Sequence, residues 1–188
     1  MSAATLQPPR KRFTRDEVEQ MLDAGLFAGQ RFELIDGDLI DKMGQNPPHS
    51  FALNLLLECL VKIFGVKRIR MQQPVEAAPA ERDRSLPEPD LAVLAGVKDE
   101  YRKRYPRGDE LLLAIEVADT TVRYDATTKR DLYARAGVPE YWVLDITGRR
   151  LIVHRGLTQG QFEQIETLPE SATVSARGVQ IPVSELLP

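Results

Sequence analysis

The chain alternates between two hydrophobic rhythms, and the points where one gives way to the other mark its elements. Thr14-Arg15-Asp16-Glu17 has the spacing of a capping box, and Val18, Met21 and Leu22 follow at helical intervals until Gly25 ends the helix. RFELIDGDLI then alternates around Asp36-Gly37, a two-residue hairpin signal. Pro47-Pro48 opens a longer helix, in which Phe51, Leu55, Leu56, Leu60, Ile63 and Phe64 form an apolar face up to Gly65. Strands are predicted at 67–75, at 88–94 (EPDLAVL) and at 111–117 (LLLAIEV). The last is apolar on consecutive positions, the mark of a strand covered on both faces.

Asp125 reads as the N-cap of a helix running to about Ala136, with Gly137 at its C′ position and Pro139 beyond. YWVLDI at 141–146 is a further strand, joined through Thr147-Gly148 to RLIVHR, and GVQIPVSELLP suggests a last strand with a closing turn. From Pro48 to Ile146 the order is therefore helix, strand, strand, strand, helix, strand. That is a mixed α/β fold with one central sheet, preceded by a helix and hairpin and extended by C-terminal strands.

A length of 188 residues suits one domain with a substantial core. Residues 1–11 are polar and carry Pro8-Pro9, which reads as a flexible tail, and 12–188 reads as a single domain. No apolar run approaches the ~20 residues of a membrane helix. The N-terminus lacks the apolar stretch of a secretory signal, so the default address is the cytoplasm. The lone Cys59 reads as a small core residue suited to a reducing compartment. A formal net charge of −3 argues against gripping nucleic acid by bulk charge. It does not exclude a nuclease, because acids that hold a divalent cation lower the charge without repelling phosphate once metal is bound. Basic residues do gather locally, at Arg10-Lys11-Arg12, at Lys67-Arg68 with Arg70, and at Arg102-Lys103-Arg104 with Arg107.

Two acids interrupt apolar strands. Asp90 opens Leu91-Ala92-Val93-Leu94, and Glu116 sits at the far end of Leu111-Leu112-Leu113-Ala114-Ile115. A carboxylate there is costly unless it is paired, protonated or bound to a cation. Two on successive strands can share one hard cation such as Mg²⁺. Lys129, Leu132, Tyr133 and Ala136 fall on one helical face, so Lys129 should point at the sheet. Metal-assisted hydrolysis and a structural ion pair of Lys129 with Glu116 or Asp125 are both open on spacing alone. His49 could approach the site but reads mainly as a solvated or capping residue, Gln72 and Gln73 as strand glutamines that could orient water or phosphate, Tyr133 as packing whose hydroxyl could lie near the acids, and Trp142 as core.

The segments ELIDGDLI, EPDLAVL and AIEVADTTVRYDATTKRDLYARAGVPEYWVLD resemble the Uma-two family of restriction-endonuclease-like proteins, a branch of the PD-(D/E)XK nuclease superfamily. The similarity spans roughly residues 12 to 188. It implies a restriction-endonuclease-like αβββαβ core, in agreement with the order read above. Pro89-Asp90 matches the PD element and Glu116 the acid of the second element, whose lysine position is Ala118 here. In this branch the lysine sits on the following helix, at Lys129. Glu33 resembles an additional family acid, for a second metal or its water; by strand alternation alone it would equally be a surface residue.

The resemblance implies an endonuclease that uses Mg²⁺ or Mn²⁺ held by Asp90, Glu116 and the backbone carbonyl of Val117, with Lys129 and Glu33 also at the site. Its expected partner is nucleic acid, DNA by analogy, and no membrane. A homodimer would supply the two sites that cutting both strands needs. The rival from another class is a nuclease-fold protein that binds nucleic acid or regulates without cutting.

Overall fold

The structure is a computed structural model that describes residues 10–42 and 46–188. Most of the expected flexible tail, residues 1–9, lies outside the described residues.

Helix α1 (Arg15–Asp23) is closed at its start by the capping box, in which Glu17 N donates to Thr14 Oγ1 and Thr14 N donates to Glu17. β1 (Phe32–Ile35) and β2 (Asp38–Asp41) then form the hairpin around Asp36-Gly37. Both turn residues have positive φ, 48° and 77°, as a two-residue hairpin turn of this type demands. Helix α2 (Pro47–Phe64) is capped by Asn46, whose side chain accepts from His49 N.

The central sheet has six strands in the order β3-β4-β5-β6-β7-β8. They are β3 (Ile69–Met71), β4 (Leu91–Leu94), β5 (Leu111–Ala118), β6 (Tyr141–Asp145), β7 (Arg150–Thr158) and β8 (Gln161–Pro169). Only β5 and β6 are parallel, because the chain crosses between them through a helix. A separate hairpin of β9 (Thr173–Ala176) and β10 (Val179–Pro182) follows. The αβββαβ core and its additions are those expected. Two expectations shift. The strand expected over 67–75 shrinks to three residues, because Gln72 turns the chain with a φ of 50°. The helix expected from an Asp125 cap begins earlier: α3 (Val122–Tyr124) runs through a π-helical turn (Asp125–Lys129) into α4 (Arg130–Ala136). Gly137 ends it in the left-handed conformation, as expected.

Side-chain alternation along the strands divides the core in two. Ile69, Leu91, Val93, Leu113, Ile115, Val117, Trp142 and Leu144 pack against α2 and the β9–β10 hairpin. Ala92, Ala114, Ala118, Tyr141 and Val143 face Tyr133 and Ala134 of α4. β5 is thus buried on both sides, the reason its apolar run is unbroken. Cys59 is half-buried at the rim of the α2 side. Among the described residues no helix is long and apolar enough to cross a membrane.

Candidate active site

The site grows out of strand register. Leu91 of β4 is paired with Ile115 of β5, so one residue further along Asp90 falls across from Glu116. Both project to the α4 side, in step with Ala92 and with Ala114 and Ala118. They are buried, and both line a cleft of about 290 Å³.

Asp90 is held by contacts with four groups. Its Oδ2 accepts from Val117 N at 2.9 Å and lies 3.4 Å from His49 Nε2. Its Oδ1 lies 3.4 Å from Gln72 Nε2 and 3.8 Å from Lys42 Nζ. Burial alone would raise its pKa, but His49, Lys42 and the Val117 N–H together bring it down to about 2. Asp90 is therefore a carboxylate at any ordinary pH.

Glu116 is its opposite. Burial pushes its carboxyl up to about 8, Asp90 and Glu33 add to the rise, and Lys129 and Lys42 oppose it. One oxygen, Oε1, accepts from Lys129 Nζ and from Tyr133 Oη, both at 2.9 Å. Tyr133 is thus more than packing.

Lys129 comes from the π-helical turn and is only 3% exposed. Its Nζ lies 2.6 Å from Glu33 Oε1, 2.9 Å from Glu116 Oε1 and 3.9 Å from Asp125 Oδ1. Burial would lower its pKa, but the Glu116, Glu33 and Asp125 carboxylates raise it, so the ammonium stays charged. Asp125 and Lys129, four apart in the π-helical turn, are both buried at the end of the sheet, and such turns recur at functional sites. Asp125 does not cap the helix. Its carboxyl accepts from Thr121 Oγ1 at 2.5 Å, and burial raises its pKa.

Glu33 is buried, not a surface residue, because the β1–β2 hairpin lies over the cleft and all of Glu33, Leu34 and Ile35 are covered. Its second oxygen accepts from Glu88 N at 3.0 Å. The structure thus brings Glu33, Asp90, Glu116 and Lys129 together at one cleft, and Val117 lines it too. In a strand the N–H and C=O of one residue point the same way, so the Val117 carbonyl is directed toward Asp90, as its N–H is.

His49 and Gln72 approach the site more closely than the sequence suggests. His49 sits one turn into α2, and its Nδ1 is buried without a partner. Gln72 accepts from Arg31 Nη1 at 2.8 Å and so turns its amide N–H₂ toward Asp90. Gln73 is exposed and is not among the residues lining the cleft, and Trp142 is fully buried core.

Among the described residues there is no group of three or more His, Cys, Asp or Glu side chains poised to hold a metal ion. The donor set here is smaller and harder. Two carboxylates and a carbonyl are the oxygen ligands that Mg²⁺ accepts while keeping most of its waters. The raised pKa of Glu116 comes chiefly from burial, with Asp90 and Glu33 adding to it, and a cation beside it would favour the ionised form. The residues fit such an ion.

The sequence model of a family described as "Uma2: Putative restriction endonuclease" matches residues 15–184. No curated protein matches. Among solved structures, "a putative nuclease belonging to DUF820" from Anabaena variabilis ATCC 29413 is similar with a TM-score of 0.68 at 14% identity. The match covers 93% of this chain and 97% of that one, and at this identity it speaks for the fold.

Proposed function

The chain belongs to the Uma2 family, and on that premise we propose that it is a metal-dependent nuclease that hydrolyses phosphodiester bonds, of DNA first, in the cleft between β4 and β5. The observation that carries the reading is a pair of buried acids on adjacent strands whose pKa values are driven apart, to about 2 and about 8. Asp90, Glu116 and the Val117 carbonyl would hold Mg²⁺ or Mn²⁺. When bound, the ion supplies Lewis acidity and an acidified water.

The protein's own groups do the rest. Asp90 enters ionised and oriented by Val117 N–H, His49 and Gln72. Glu116 gives up its proton when the site fills with positive charge, so binding is coupled to pH. Lys129 spends two N–H donors on Glu33 and Glu116 and keeps the third. That donor can meet a phosphoryl oxygen as water attacks phosphorus and the bond to the leaving oxygen breaks. Glu33 holds the ammonium in place and takes no part in bond making.

The test is cleavage of plasmid and of labelled single strands with Mg²⁺, Mn²⁺ or EDTA, with Asp90→Ala and Glu116→Ala as controls. Products that need metal and both acids are expected; products that persist in both variants would exclude this cleft. The burial of Lys129 between two carboxylates favours one rival, a protein that keeps the ion pair for stability and binds nucleic acid without cutting it. Binding with no metal-dependent product would select that rival. A homodimer would place two clefts on one duplex.

A further inference from the structure

A nucleic-acid strand cut in the cleft must continue beyond it, and the free edge of the sheet offers a route. β3 is that edge strand, and it runs from the turn Val66–Arg68 to Gln72 at the cleft. Arg70 is paired with Ala92, so it projects on the same side as Asp90. It is 9% exposed, yet among the described residues it forms no ion pair. Its Nη2 reaches only the Pro74 carbonyl, at 3.5 Å, and its Nε has no partner at all. A buried guanidinium without a counter-charge is costly and calls for an anion from outside.

The surroundings supply more of the same charge. Lys67 and Arg68 precede β3, and the turn Lys98–Tyr101 lies against them. Arg68 donates to the carbonyls of Ala95 and Leu94, not to a carboxylate. Lys67 and Lys98 both act on Asp99 without contacting it, and the exposed Lys103 follows two residues after that turn. The other arginines of this stretch are engaged, Arg102 by Asp99, Arg104 by Glu110 and Arg107 by Asp109. Two basic groups far apart in sequence, 67–70 and 98–103, therefore meet on one edge. The extended strand from Ile69 to Met71 covers about 7 Å, roughly two axial steps of a duplex strand at ~3.4 Å each.

We propose that this edge, with Arg70 at its centre and Lys67, Arg68, Lys98 and Lys103 around it, binds the phosphodiester backbone flanking the cut site. The inference rests on the nuclease reading, and it explains how a chain of net charge −3 can hold a polyanion.

The test is fluorescence anisotropy of labelled duplex and single-stranded 20-mers with the full chain in EDTA, across a salt series. Arg70→Met should weaken binding about tenfold near 0.1 M salt and lower the salt slope by about one phosphate contact. Its melting temperature should hold or rise, since an unpaired buried charge is lost. Lys67→Ala and Lys103→Ala, both exposed, should each lower the slope without touching the fold, and Arg177→Ala on the β9–β10 turn should not. Unchanged affinity and slope in the Arg70, Lys67 and Lys103 variants would overturn the proposal. So would a lower melting temperature for Arg70→Met with binding intact, which would make Arg70 a structural residue. A wild-type chain that binds neither oligonucleotide also overturns it, and metal-dependent cutting by that same chain would leave the nuclease reading standing.

Discussion

The two faces of the central sheet are built by opposite rules. Toward α2, β3 to β6 present leucine, isoleucine, valine and Trp142, whose indole N–H, the one polar group among them, donates to Glu140. Toward α4, the same strands present alanines and Tyr141, and at one end Asp90 and Glu116 meet the buried Glu33 of the β1–β2 hairpin and the buried Asp125 and Lys129 of the π-helical turn. The first face lowers the free energy of the fold by removing hydrocarbon from water. The second carries more negative than positive charge in a dry place, a cost that only a ligand or a proton can offset. The difference teaches where to look for chemistry. The apolar face can be weakened without touching the charged groups, whereas changes at the charged groups reach both the cleft and the stability of the fold.

The largest expected effect is on turnover. Asp90→Ala or Glu116→Ala should lower metal-dependent cleavage by at least ~10²-fold, while Leu56→Ala on the other face should cost about 2–5 kcal/mol of stability and leave cleavage below the melting transition unchanged. Parallel kinetics and denaturant titration read both. Next comes Lys129→Met. The ammonium lies buried between the Glu33 and Glu116 side chains and is the positive partner of both, so its loss should cost ~3–5 kcal/mol. Glu33→Gln added to it should recover part of that. A Lys129→Met chain as stable as wild type would show that the carboxylates do not depend on it.

The pH dependence follows in size. Glu116 holds its proton up to about 8 when folded against 4.5 ordinarily, so the folded state binds the extra proton between those values. Its contribution is fully present below about 4.5 and lost as pH rises toward 8; melting temperature in EDTA should fall across that window, and Glu116→Gln should flatten the curve. Asp90 acts the other way, stabilising above 3.8 and losing that contribution as pH falls toward 2. Mg²⁺ should bind more tightly as pH rises, because it competes with the Glu116 proton. The smallest effect is Tyr133→Phe, about 1 kcal/mol for one hydrogen bond to Glu116, measured by thermal melting.

Much of this was legible in the residues. The capping box at Thr14, the Asp36-Gly37 hairpin and the unbroken run of β5 each carry a local signal with one physical cause, and each appears where expected. Asp90 and Glu116 stood out because a charge inside an apolar run has few explanations. What was hidden depended on tertiary placement. β8 reads as polar because it is an edge strand with most side chains in water, so the long β7–β8 hairpin had no hydrophobic rhythm to announce it. The π-helical turn was masked by Asp125, whose cap-like position is met by the same residue type for another reason. Glu33 could not be placed by alternation, since the hairpin is covered on both sides. His49 and Gln72 are single residues brought to Asp90 by a helix start and by a positive-φ turn, and neither leaves a periodic trace.

Whether the cleft holds a metal is read directly from a crystal soaked in Mn²⁺, with anomalous data at the metal edge. One strong peak is expected in the cleft, ligated by Asp90, Glu116 and the Val117 carbonyl, with Lys129 still on Glu116. A cleft without a peak at millimolar Mn²⁺, or a peak bound by other residues, would contradict the metal assignment.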